Sequence, residues 1–145
     1  MRWIVATALL VALAGCGGRT TLSRQAYAAK LNAMCADFAA REKRIGEPAT
    51  AADVAARGEL IADAFDAAIL HPVQRLGRPA ALGGVAKHLV TLTDEQSSNL
   101  HLLAAAALAG DAGKLAQLAT QNAALNARAT KLTKELGAAS CSGPG

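Results

Sequence analysis

Three cysteines carry most of the chemistry that can be read from this sequence: Cys16, Cys35 and Cys141. A thiol can become a thioether, a disulfide or a metal ligand, and each use requires its own surroundings. No Cys-x-x-Cys and no Cys/His ligand spacing occurs, so no metal site is expected. The imidazoles are His71, His88 and His101, and none has Glu or Cys three or four positions away. His88 and His101 are separated by about 220° around a helix, which reads as two surface or rim residues. Asp63 and Asp66 share one side of a helix and are expected to pair with bases of the first helix. There is no Gly-x-Ser-x-Gly elbow and no His-Glu-x-x-His, so the reading is a protein without enzymatic activity.

The first cysteine is explained by what precedes it. Arg2 is followed by a 12-residue apolar run, Trp3 to Ala14, and then by Gly15 and Cys16. A bilayer span needs roughly 20 apolar residues, so this run is too short for a permanent one and reads as a secretory signal over residues 1–15. Leu13-Ala14-Gly15-Cys16 resembles the lipobox of bacterial lipoproteins. That resemblance implies cleavage before Cys16 and a diacylglycerol on its thiol. The covalent lipid would be the only attached group, with no other cofactor. The mature chain would be held at the extracytoplasmic face of the cell membrane. Several acyl chains make a stable anchor, since each buried methylene contributes ~0.8 kcal/mol. Residues 16–22 form a lipidated tether in which Gly17 to Leu22 reach ~20 Å, so the domain, residues 23–145, would sit close to the bilayer.

Removing residues 1–15 takes away Arg2 and leaves 14 basic against 11 acidic side chains, a mild +3. The remaining aromatics are Tyr27, Phe38 and Phe65, too few for base stacking, so nucleic acid is not an expected partner. In an oxidising compartment Cys35 and Cys141 are an even pair and are expected to form one disulfide.

Alanine makes up about a quarter of the chain and strand-like alternation is lacking, which predicts an all-α antiparallel bundle of about four helices. The first runs from Ser23 to about Ile45, with Tyr27, Leu31, Met34, Cys35 and Phe38 on one face and a net charge of +3. The second starts after Thr50, where Thr50/Asp53 resembles a capping box, buries Val54, Ile61, Phe65 and Ile69, and carries −3. Pro72 is expected to stop it, leaving His71 to Pro79 as a loop. The third runs from Val85 to Ala109. After Gly110-Asp111 the fourth runs to Leu136, with Leu115, Asn122, Ala129 and Leu136 in one heptad row and Leu118, Leu125 and Leu132 in the other. To reach Cys35, either the tail after Gly137 folds back along helix 1 or helix 1 overhangs the bundle.

The antiparallel register sets Asn99 opposite Asn122, with Gln96 one turn away near Leu125. This layer would fix register or hold a small polar ligand. Cys35, Cys141 and the Gly110-Asp111 break also resemble small alanine-rich helical lipoproteins of high-GC bacteria, a likeness that implies no particular activity. The expectation is an envelope accessory protein that contacts another envelope component through helix 1 or helix 2. The alternative is a ligand-binding bundle using Gln96, Asn99 and Asn122.

Overall fold

The computed structural model describes residues 21–46 and 49–141. Residues 1–15, Cys16 and the first part of the tether lie outside them. The described chain is helical throughout: α1 (Arg24–Ile45), α2 (Ala51–Phe65), α3 (His71–Arg75), α4 (Gly83–Leu108) and α5 (Ala112–Leu136). A π turn, Asp66–Leu70, joins α2 to α3, and short 3-10 turns stand at Ala80–Leu82 and Ala139–Cys141. No described helix is long and apolar enough to cross a membrane.

Local chemistry sets the boundaries. The Ser23 hydroxyl accepts from the Ala26 amide at 3.1 Å and caps α1. At α2 the Asp53 amide donates to Thr50 Oγ1 (3.1 Å) and the Thr50 amide donates to Asp53 Oδ2 (3.2 Å), a reciprocal capping box. The Thr50 hydroxyl also donates to that carboxylate, which holds Asp53 below its ordinary value. Asp111 caps α5 through the Lys114 amide (2.9 Å). Gly110 and Gly137 adopt φ of 67° and 86°, and the next residue in each case reaches back five positions, Asp111 to Ala106 and Ala138 to Thr133. Only the left-handed conformation at those glycines permits that closure.

Pro72 does not stop the second helix. The rod continues through the π turn and one more α-helical turn to Arg75, so the expected loop at His71 to Pro79 is shorter than read. The reason lies in the hydrogen-bond ladder. The His71 amide donates to Asp66 O, five residues back, which widens the turn just before the ring. Pro72 then follows directly on that widened turn, which makes room for its ring within the rod. The continuation buries Val73 in the main core beside Tyr27, Leu31, Phe65, Ile69, Leu89 and Leu136.

α4 is the central helix. It lies antiparallel to α2, with Gly58 against Ala104, and antiparallel to α5, with Gln96 bonded to Asn126. Two of its faces are therefore covered: Leu89, Leu92, Gln96 and Asn99 are buried, and so are Ala86, Thr93, Ser97 and Ala104. The second helix packs differently from expectation. Ala62, Ala64 and Ala68 are buried with Phe65 and Ile69, whereas Val54 and Ile61 are only half-buried. Small side chains let α2 lie directly on α4. On α5 the heptad rows face inward, with Leu118, Leu125 and Leu136 buried and Leu115, Asn122, Ala129 and Leu132 half-buried.

The tail folds back along α1. Arg24 donates to the Glu135 carbonyl at 2.8 Å, Gly137 lies beside Ala28, and the Ser140 amide donates to Asn32 Oδ1 at 3.0 Å. The chain thus climbs α1 until Cys141 meets Cys35, with the sulfurs at bonding distance and the Cα atoms 5.2 Å apart.

Candidate functional site

Joined to the tail at its lower end, α1 departs from α5 above it. Tyr27, Ala28 and Leu31 are buried, but Met34, Cys35 and Phe38 on the same face are only half-covered. The space between α1 and α5 is a cleft of about 890 Å³. Its apolar surface comes from Leu31, Met34, Phe38, Phe65, Ile69 and Leu89, with the Phe38 and Phe65 rings edge to face at 5.4 Å. Thr93, Gln96, Asn126, Thr130 and Thr133 supply hydroxyls and amides, and Glu42 and Lys134 supply charge. An apolar cavity of roughly 300–1,000 Å³ with a few convergent polar groups is the usual form of a small-molecule site.

The expected polar layer is not assembled as read. Gln96 Nε2 donates to Asn126 Oδ1 at 2.8 Å, and Glu95 accepts from Arg128 at 3.2 Å. The register thus runs one or two residues later along α5 than expected, and Asn99 does not pair with Asn122. Asn99 is 2 % exposed and neither of its amide atoms has a hydrogen-bond partner among the described residues. An unmatched buried amide costs about 1–3 kcal/mol. Of the three candidates only Gln96 lines the cleft; Asn126, not singled out in the sequence, supplies its partner.

A second constellation spans α2 and α4. His101 Nδ1 lies 3.0 Å from Glu59 Oε2, and Nε2 lies 3.1 Å from Asp66 Oδ2. The Ser97 hydroxyl donates to the other oxygen of Asp66. Asp66 therefore bonds to α4, not to a base of α1 as expected, while Arg41 of α1 bonds to Asp37 on its own helix. The close seat of α2 on α4 is the physical reason, since it sets the acidic flank of α2 beside Ser97 and His101. Ser97 contacts the carboxylate rather than the imidazole, so this is no nucleophilic triad. The signal in the sequence was Glu59, Asp63 and Asp66 at i, i+4, i+7, facing Ser97 and His101 at i, i+4 on another helix.

Two carboxylates around one ring require both nitrogens to donate. Asp66 foremost, with Glu59 adding to it against partial burial, raises His101 above the ordinary 6.5. A group with a raised folded value stabilises fully below its unfolded value and loses that contribution as pH rises through the folded one. With divalent cations chelated, wild-type stability relative to His101→Gln is therefore expected to shrink as pH climbs above about 6.5. Parallel urea titrations across that range check this; a gap that stays constant would mean that the ring does not carry the charge.

Comparison with known proteins finds no matching family model, no matching curated protein and no matching solved structure.

Proposed function

We propose that this chain is a non-enzymatic lipoprotein, anchored through Cys16 at the extracytoplasmic face of the cell membrane, whose bundle receives a small amphipathic molecule between α1 and α5. The cleft carries this reading. It leaves Met34 and Phe38 only half-covered above the buried Phe65, and bounds them with the Gln96–Asn126 pair and threonine hydroxyls. Such a lining suits a ligand with an apolar body and a hydrogen-bonding end. The short tether would keep the cleft within reach of the bilayer surface.

A second reading is contact with another envelope protein through the α1/α2 face. It is favoured by Leu60, 55 % exposed, in a shallow hollow shared with Arg41 and Arg44. An exposed leucine rimmed by charge is a common form of protein contact.

One experiment separates the two. The lipidated protein is purified from crosslinked envelopes, and mass spectrometry identifies what accompanies it, with covalent lipid distinguished by its survival of denaturation. The cleft reading expects a stoichiometric non-covalent small molecule that is lost in Ala127→Trp, a substitution at an exposed position of the cleft wall. A recurrent protein partner, lost on reversing Arg41 and Arg44 and accompanied by no small molecule, would replace it with the second reading.

A further inference from the structure

Beside the α2/α4 constellation, one donor atom from each of Glu59, Asp63 and His101 lies within 4.8 Å of the other two. We propose that these three side chains form a binding site for a divalent transition-metal cation of the zinc type. The donors come from two helices, and the spacing along either one fits no ligand motif.

The geometry is close to what such an ion needs. Donors at 2.0–2.2 Å in a tetrahedral shell stand about 3.4 Å from one another. His101 Nδ1 and Glu59 Oε2 are already at 3.0 Å. Glu59 and Asp63 are exposed and occupy i, i+4 positions on α2, so rotation of their side chains closes the remaining gap. Asp63 makes no hydrogen bond or ion pair among the described residues, so its carboxylate is available for the ion.

The other side of the ring supplies an independent observation. Nε2 faces Asp66, whose second oxygen is held by Ser97. A ligating imidazole characteristically gives its other N–H to a carboxylate, which fixes the tautomer and aims the free nitrogen at the metal. Here Asp66 and Ser97 fix the ring so that Nδ1 faces Glu59, with Asp63 one turn further along α2. Three carboxylates lie around this one imidazole, a concentration of negative charge that a dication would offset. An imidazole and two carboxylates leave a fourth position for water, and this mixed N/O set suits zinc more than calcium or magnesium.

The test is titration of the full lipidated chain, in detergent and stripped with chelator, with zinc against a competing fluorescent indicator. One ion per chain is expected. His101→Gln should abolish binding, and Glu59→Gln and Asp63→Asn should each weaken it about tenfold or more, while His71→Gln and His88→Gln bind as wild type. Asp66 is a positioning residue, so Asp66→Asn should weaken binding about 10–100-fold. Asp66→Glu, which keeps a carboxylate beside the ring, should recover part of that loss. Glu59→Gln and Asp63→Asn leave the His101–Asp66–Ser97 contacts in place, so the test survives if His101→Gln fails to fold. No stoichiometric zinc, or zinc retained by the Glu59→Gln/Asp63→Asn double variant, would overturn the site.

Discussion

Gly58→Ala is expected to destabilise the protein by about 1–3 kcal/mol, although alanine is the better helix former by about 1 kcal/mol. A Cβ at position 58 would lie 2.8 Å from Ala104 Cβ and 3.0 Å from Ala104 Cα. Neither atom can rotate away, because both belong to the rigid part of α4. The helix must therefore lift, uncovering Ala62 and Ala104, which are both fully buried. Lifting would also draw Glu59 from His101. Urea denaturation of wild type, Gly58→Ala and Gly58→Ala/Ala104→Gly measures the effect, and the second substitution should recover part of the loss. A single variant as stable as wild type would mean that α2 and α4 have slack at this crossing.

Loss of the Cys35–Cys141 link is expected to cost about 2–4 kcal/mol. The bond closes a separation of 106 residues, a long loop whose restriction removes much freedom from the unfolded chain. It also pins the far end of the tail to α1, where Ser140 bonds to Asn32 and the surroundings of Cys35 and Cys141 are half-buried. The double variant Cys35→Ser/Cys141→Ser should show a lower urea midpoint, and its α1 amides should exchange faster than those of α4. An unchanged midpoint would show that packing of Tyr27, Leu31 and Leu136 alone suffices to seat α1.

The legible parts of the fold were those decided by neighbouring residues. Ser23, the Thr50/Asp53 pair, Gly110-Asp111 and Gly137 each act within one helical turn, so their capping chemistry is written locally. The leucine rows of α5 were legible because the repeat persists over three heptads. Pro72 misled because its missing N–H is visible in sequence, whereas the π turn that makes the donor unnecessary depends on how Ala68, Ile69 and Leu70 pack. The buried face of α2 was legible at Phe65 and Ile69 but not at its small residues, for a related reason. Large residues suggest a core, but the closest approach between helices selects Gly58 and Ala62. The polar layer failed over a register shift of one or two residues, enough to give Gln96 the partner Asn126 and leave Asn99 without one. His101 was judged on its own helix alone, while its partners Glu59 and Asp66 lie 42 and 35 positions away.

The sulfur bridge between the first helix and the tail has a consequence for how the protein would wear. Every peptide bond from Cys35 to Cys141 lies inside one covalent ring. A protease that nicks the exposed Gly110-Asp111 tip would open that ring without releasing anything, because both fragments stay tied to the segment that leads to Cys16. If Cys16 carries the lipid, a clipped molecule remains on the membrane in full, and only a reductant would shed the severed half.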